Sequence, residues 1–171
     1  MALVKNNLVI KDKWTFVGDE EDLPKTNAIV TLKRWQEDRE ALLARYDNLG
    51  IVLRSDENPQ AIAEDVAFFQ VIALDFPVYT DGRAYSYARL LRERFGYKGE
   101  LRAIGNVLRD QVFLMHRCGF DAFEINQGGN KALQIWLDAQ KEVTTFYQPT
   151  GDGRNTVLSL RERRRLAKSA S

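Results

Sequence analysis

Short apolar runs alternate with longer amphipathic runs between residues 28 and 143 of the chain. The short runs are rich in β-branched residues, which is typical of buried strands, and the longer runs carry apolar residues at helical spacing. The predicted strands are Ala28–Leu32, Gly50–Leu53, Val71–Tyr79, Glu100–Ile104 and Ala122–Ile125. The predicted helices are Arg34–Tyr46, Asn58–Phe69, Asp81–Phe95, Asn106–Arg117 and Asn130–Val143.

This alternation predicts an α/β fold of about five βα units, with a mostly parallel sheet and helices packed on it. Five units are too few for a closed eight-stranded barrel, which typically needs ~250 residues. Two architectures remain: an open doubly wound sheet, or a partial TIM-barrel-like sheet completed by N-terminal strands or by a second subunit. Each strand follows its predecessor without an obvious switch point, which favours the partial barrel.

Both ends of the chain differ from this pattern. Residues 1–27 predict an N-terminal β-hairpin appendage, formed by Leu8–Ile10 and Trp14–Val17 around a polar Lys-Asp-Lys turn. We assign residues 1–150 to a single α/β domain and residues 151–171 to a polar, basic tail. The run Arg161–Arg165 makes a solvated, partly disordered tail the first interpretation and a nucleic-acid or partner-binding arm the second.

Composition narrows the function classes. The 25 basic and 24 acidic residues nearly cancel, so we expect neither nucleic acid nor a membrane as a partner. The N-terminus does not resemble a signal peptide, and no apolar stretch approaches the ~20 residues that span a bilayer, so we expect a cytoplasmic location. One histidine and one cysteine exclude a histidine-rich metal site and an internal disulfide, and no metal is expected.

Polar residues collect where the predicted strands end, which is where parallel α/β folds bind ligands. The first helical amide groups and arginine side chains at such positions can hold an oxyanion. The candidate ligand-binding residues are Arg54, Asp81, Gly82, Arg83, Tyr85, Ser86, Asn106, Arg109 and Asp110. Ser55 and Asp56 follow the same strand as Arg54, and Asn126 and Gln127 follow the fifth strand.

Asp81-Gly82-Arg83 is the strongest of these segments, because aspartate can cap the helix and glycine permits close approach of a ligand. The competing interpretation is a plain turn with a capping aspartate. Arg83 and Arg109 begin helices, where positive charge is mildly unfavourable, so either a ligand or an acidic partner would explain them.

The single histidine and the single cysteine give weaker indications of a functional site. His116 lies late in the fourth helix and suits a helix-end cation, and Cys118 suits a small buried residue before a C-terminal Gly119. Glycine-rich dinucleotide and P-loop motifs are missing from the sequence, so no cofactor is assigned.

Long motifs connect the chain to a known family. They include Tyr79-Thr80-Asp81-Gly82-Arg83-Ala84-Tyr85-Ser86, Gly99-Glu100-Leu101-Arg102-Ala103-Ile104-Gly105, Val107-Leu108-Arg109-Asp110-Gln111 and Arg117-Cys118-Gly119-Phe120-Asp121. The chain resembles the bacterial family called domain of unknown function nine-three-four. The family pattern has aspartate where this chain has Asn106, and asparagine cannot act as a carboxylate base.

The resemblance implies an oxidoreductase or accessory protein in assimilatory sulfate or sulfite reduction, without established catalytic residues. The alternative is a non-catalytic protein that docks on a sulfite-reductase component through exposed aromatic residues such as Trp136 or Phe113. A homodimer that completes the partial barrel is compatible with both functions.

Overall fold

Eight strands form one sheet in which each strand of the α/β region lies beside its predecessor. The computed structural model describes residues 1–142, 146–147 and 156–169. The strands are β1 (Ala2–Lys5), β2 (Leu8–Ile10), β3 (Thr15–Val17), β4 (Ala28–Thr31), β5 (Leu49–Leu53), β6 (Phe69–Phe76), β7 (Glu100–Gly105) and β8 (Ala122–Ile125). The helices are α1 (Leu32–Arg45), α2 (Arg83–Arg89), α3 (Arg109–Arg117), α4 (Gly129–Glu142) and α5 (Val157–Ser169).

The order of strands in the sheet is β2-β1-β8-β7-β6-β5-β4-β3, and β3 to β8 run parallel. A doubly wound sheet reverses its order at a switch point, and this sheet has no such reversal. The strands instead form a curled half-barrel with helices on its outer side. This confirms the partial-barrel prediction and removes the open doubly wound alternative.

The two edge strands, β2 and β3, are consecutive in the chain, with only residues 11–14 between them. A chain extends by at most ~3.6 Å per residue, so this linker brings the two edges within about 18 Å of each other. The linker therefore passes over the open side of the half-barrel.

An N-terminal hairpin exists, but it is formed by β1 and β2, and the predicted pairing of Leu8–Ile10 with Trp14–Val17 was wrong. β2 pairs antiparallel with β1, where Lys5 lies opposite Leu8, whereas Thr15–Val17 pairs parallel with β4. Asn6 and Asn7 form the turn with φ of 52° and 61°, a left-handed backbone that asparagine tolerates and that two-residue hairpins require. The Asn-Asn pair was the sequence signal for this turn.

The predicted helix over residues 58–69 was also wrong, because the segment contains two short 3₁₀ turns, Pro59–Ile62 and Val66–Phe68. Asn58 caps the first turn, since its side chain accepts from the Gln60 amide at 2.9 Å. Asp65 then accepts from the Trp35 indole at 3.1 Å and from Arg39 at 2.7 Å, which holds the chain against α1 before β6 begins.

Two further helix boundaries differ from the predictions. The third helix, predicted over Asp81–Phe95, is α2 followed by a π-helical turn, Leu90–Arg94. The fourth begins at Arg109 rather than Asn106, because the Asn106 backbone amide donates to the Phe76 carbonyl at 2.7 Å and the chain stays non-helical through Leu108, which has φ of −94° and ψ of 150°. Gly119 follows this helix with φ of 110°, as predicted for a C-terminal glycine.

The tail contains α5, so residues 157–169 are helical rather than irregular. The domain boundary at residue 150 and Gly151 lie outside the described residues, and the division there stays a prediction. Within the described part of the chain, no helix combines the length and apolar character that a membrane span requires.

The two faces of the sheet carry different side chains. Leu74, Phe76 and Phe123 point outward and pack beneath the helices in the main apolar core. The inner face holds charges: Arg102 is fully buried and donates to Asp12 at 2.6 Å and to Glu100 at 2.9 Å. Because Asp12 belongs to the linker between β2 and β3, this ion pair ties the linker to the middle of the half-barrel.

We expect Asp12→Ala to lower the free energy of unfolding by about 2 kcal/mol. Removing one partner of a buried pair leaves the other charge uncompensated, a loss of roughly 3–5 kcal/mol that the remaining Glu100 contact reduces here. Urea denaturation measures the change, and Asp47→Ala, at an exposed position outside this ion-pair cluster, is the control. Equal effects of the two substitutions would contradict the structural role of the linker contact.

Candidate functional site

Asp81 and Arg83 form a local ion pair at the start of α2. The Asp81 carboxylate accepts from the Arg83 backbone amide at 3.1 Å, from Nε at 3.0 Å and from Nη2 at 2.7 Å. These bonds hold the pKa of Asp81 well below its usual range. Arg83 also donates to the Ser55 hydroxyl at 3.0 Å, which links α2 to the loop after β5. An acidic partner therefore explains the arginine at this helix start.

The neighbouring candidates in α2 have different surroundings. Tyr85 packs edge-on against Phe76, with ring centroids 5.2 Å apart, and burial raises the pKa of its phenol to about 12. Its hydroxyl is buried and has no hydrogen-bond partner among the residues that the structure describes. Ser86 and Gly82 are exposed beside it. Tyr85 thus faces the protein interior, and only its neighbours face solvent.

A groove of about 720 Å³ lies at the carboxyl ends of β6, β7 and β8. We call it the carboxyl-edge groove. Its polar lining comes from the end of β6, the start of α3 and the loops that follow β7 and β8, and comprises Asp75, Asn106, Arg109, Asn126 and Gln127. Two predicted candidates, Asn106 and Arg109, therefore line one cavity with the residues that follow the fifth predicted strand.

The other candidates lie outside the groove lining; these are Arg54, Asp81, Gly82, Arg83, Tyr85, Ser86 and Asp110. The two predicted clusters are neighbours, since Gln111 of α3 donates to the Tyr79 carbonyl at 2.9 Å in the loop before α2. Asp110 is exposed in the first turn of α3, where a negative charge is favourable to the helix dipole. The structure thus separates Arg83 from Arg109.

Gly105 determines the shape of the groove. It has φ of 81°, and a Cβ added there would lie 2.5 Å from Asp75 Oδ1 and 2.6 Å from the Phe76 carbonyl oxygen. Only glycine allows the β7–α3 loop to pass this close to the Asp75 carboxyl group. The loop then carries Asn106 and Arg109 to the groove.

Asp75 was missed by the sequence analysis. Burial raises the pKa of its carboxyl group, an effect that nearby Arg54 opposes and nearby Asp81 reinforces. A second cavity of about 350 Å³ lies on the inner face of the half-barrel, and Asp75 and Glu124 both line it. Burial is also the main cause that raises the pKa of Glu124.

The groove and this inner cavity share Asp75, Gly105 and Asn126, so they are contiguous at the carboxyl edge of the sheet. Asp75 and Glu124 occupy apolar strands at positions that alternate with buried residues. The sequence signal that could have identified both residues was a charged side chain within an apolar strand. Such a side chain must either pair with an opposite charge or face a cavity.

His116 and Cys118 lie at the opposite end of the sheet, near the amino ends of β7 and β8. Cys118 is buried, as predicted, and His116 Nδ1 lies 3.1 Å from the Phe120 carbonyl. Arg92 closes this end by donating to the carbonyls of Gly119 at 2.9 Å and Gly99 at 2.8 Å. Among the described residues, no group of three or more histidine, cysteine or acidic side chains could hold a metal ion.

The sequence profile of the family described as bacterial protein of unknown function (DUF934) matches residues 50–158, more than half of the chain. The chain belongs to this family. The matched region begins at β5 and reaches α5, so it contains the carboxyl-edge groove, the Asp81–Arg83 pair and every predicted site residue. A comparison with curated proteins gave no match.

We expect Gly105→Ala to destabilise the protein by at least about 2 kcal/mol, because alanine is strained at this positive φ and its methyl group meets Asp75 and Phe76. Gly128→Ala is the matched control, since its added methyl group meets no atom within 4 Å and φ there is not positive. Thermal denaturation of both variants measures the difference. Similar losses at the two glycines would contradict the close approach at Gly105.

We expect Asp75→Asn to raise the melting temperature at pH 8, by about 1–2 °C. The folded-state pKa of Asp75 is raised, so its ionised form costs stability above that pKa, and the cost disappears as the pH falls and the carboxyl group is protonated. The difference from the wild type should therefore shrink towards pH 4. A gain that is equal at both pH values would show that burial of the charge is not its cause.

Proposed function

We propose that the protein binds a small compound with a phosphate, sulfate or sulfite group in the carboxyl-edge groove. The observation that carries the proposal is the convergence of Arg109, Asn106, Asn126 and Gln127 on one cavity. Its volume of about 720 Å³ is typical of small-molecule sites and exceeds what a bare oxyanion fills. The ligand is therefore a larger compound whose oxyanion group is one part.

The oxyanion group belongs near the start of α3. Arg109 is the first residue of this nine-residue helix, and Leu108 before it also lines the groove. A helix N-terminus offers amide donors and a positive end of the dipole, and a guanidinium adds a planar pair of donors that fits phosphate or sulfate oxygens. Asn106, Asn126 and Gln127 supply further amide groups for the body of the ligand.

Asp75 couples this binding to pH. An ionised carboxylate in the groove repels an oxyanion, whereas a protonated carboxyl group can donate a hydrogen bond to it. Burial already favours the protonated form of Asp75. Anion binding and protonation of Asp75 therefore favour each other, and affinity should rise as the pH falls.

For the biological setting we propose what the family resemblance implies, namely an accessory protein or oxidoreductase in assimilatory sulfate or sulfite reduction. Compounds of that pathway carry sulfur oxyanions or phosphosulfate groups, which fits the chemistry of the groove lining. Within this setting we assign the chain a ligand-binding role, and Asp75 is the group through which a proton would be exchanged with the bound compound.

The alternative is an interaction protein that docks on a sulfite-reductase component. The prediction that Trp136 and Phe113 are exposed aromatic residues available for that contact was wrong. Trp136 is 4% exposed, and Phe113 is half-buried and stacks on Phe146. Exposed apolar side chains do occur near α3, namely Val78, Tyr79 and Leu114. We favour ligand binding, because the groove combines shape with convergent polar groups.

Isothermal titration with sulfate, sulfite, phosphate and adenosine monophosphate tests the ligand-binding proposal. We expect Arg109→Ala to weaken binding of the best of these compounds at least tenfold, since a charge-assisted hydrogen bond contributes about 1.5–3 kcal/mol. Arg83→Ala is the matched control, because its guanidinium pairs with Asp81 outside the groove lining. A loss at Arg83 alone would move the site to α2.

Sulfate is the best probe of the pH effect, because it does not titrate between pH 5 and pH 8. Its affinity for the wild type should rise towards pH 5, and Asp75→Asn should bind it with less dependence on pH. Failure of all four compounds to bind would overturn the proposed function.

A further inference from the structure

The inner cavity, which Asp75 and Glu124 line, continues the carboxyl-edge groove into the half-barrel. Its volume is about 350 Å³, and Asp75, Gly105 and Asn126 line both spaces. Gly105 has no side chain that would separate the two spaces. A ligand held in the groove can therefore extend past these residues, and a second part of it can lie against the inner face of the sheet.

Phe16 of β3 gives the inner cavity an aromatic wall. Its neighbour Val17 is buried in the main core, so the alternation of side chains along a strand directs Phe16 to the inner face. The Phe16 side chain is 38% exposed, and within the described part of the chain no other aromatic ring packs against it. An aromatic ring with a free face inside a cavity is suited to stacking on a flat ligand.

The facing side of the cavity is formed by strands from elsewhere in the sheet. Ile104 of β7 and Glu124 of β8 line the cavity together with Phe16, although β4, β5 and β6 lie between β3 and β7 in the sheet order. The curl of the sheet therefore bounds the cavity from two directions. This shape suits a flat group that contacts Phe16 on one side and Ile104 on the other.

Glu124 brings a carboxyl group to this cavity without using it in the fold. The residue is half-buried, and among the described residues its side chain forms no hydrogen bond or salt bridge. An ionised carboxylate accepts from an amino group, and a protonated one can also donate to a ring nitrogen. Acidic side chains accept in this way from the amino groups of nucleobases. A nitrogen heterocycle thus matches both the flat shape and the polar edge of the cavity.

We propose that the compound bound in the carboxyl-edge groove is a nucleotide, with its base in the inner cavity stacked on Phe16 and its edge at Glu124. This inference rests on the proposed function, because Arg109 holds the phosphate group in the groove. The ribose lies at the junction of the two spaces, where the amide group of Asn126 can bond its hydroxyl groups. Phe16 and Glu124 are thereby assigned as ligand-binding residues.

Isothermal titration with adenosine monophosphate, ribose 5-phosphate and phenyl phosphate tests the inference. The second compound lacks the base, and the third has a flat ring without a sugar or a nitrogen edge. We expect adenosine monophosphate to bind about tenfold more tightly than either, because stacking and recognition of the base edge both require the nucleobase. If ribose 5-phosphate or phenyl phosphate binds as tightly, the nucleotide inference is wrong and the proposed oxyanion site stands.

Substitutions on the inner face locate the base. Phe16→Ala should weaken binding of adenosine monophosphate about fivefold or more, since stacking on the ring is lost, and should leave binding of ribose 5-phosphate unchanged. Phe68→Ala is the matched control, because Phe68 is 43% exposed and lies outside the linings of both spaces. Glu124→Ala should likewise weaken binding of the nucleotide alone.

Binding of ribose 5-phosphate also shows that each variant is folded. If Phe16→Ala does not fold, Phe16→Leu keeps an apolar side chain on β3, removes the ring and carries the same expectation. Unchanged affinity for adenosine monophosphate in the folded Phe16 variant overturns the inference. If none of the three compounds binds, or if Arg109→Ala leaves their affinities unchanged, the proposed function fails and the inference fails with it.

Discussion

The contact between Asp12 and Arg102 is the interaction on which closure of the half-barrel depends. A parallel sheet normally buries both faces under apolar side chains, but here the inner face carries a fully buried arginine. Its charge is tolerable only because Asp12 reaches it from the linker and Glu100 from its own strand, with Lys5 completing the set through Glu100 at 2.7 Å. The same contacts hold the linker across the opening.

This arrangement gives the inside of the half-barrel two different zones. Towards the amino ends of the strands, opposite charges pair and fill the space. Towards the carboxyl ends, Asp75 and Glu124 line a cavity, and burial favours the protonated form of both. The polar side chains that line the two cavities therefore lie at the carboxyl ends of the strands. In parallel α/β folds, the loops and helix starts at this end form the ligand-binding edge of the sheet.

Much of this could be predicted from local patterns. The Asn58-Pro59 start, the Gly119 helix end and the strands at Ala122–Ile125 and Glu100–Ile104 follow from capping chemistry and apolar runs, and they agree with the structure within a residue. Helix boundaries failed where a long-range contact prevailed over the local pattern. The Asn106 side chain is a good helix cap in isolation. In the structure, however, the Asn106 backbone amide donates to the Phe76 carbonyl of the neighbouring strand, and α3 begins only at Arg109.

The amino-acid sequence by itself determined the class of fold, the order of its βα units and the edge where polar residues gather, because these depend on periodicity and on neighbours along the chain. Only the tertiary structure decided which polar residues share a cavity. Arg83 and Arg109 looked equivalent as arginines at helix starts, but Arg83 meets Asp81 two residues away while Arg109 lines the groove with Asp75 from another strand. That distinction depends on strand register and on the close approach at Gly105, which residues far apart in the chain create together.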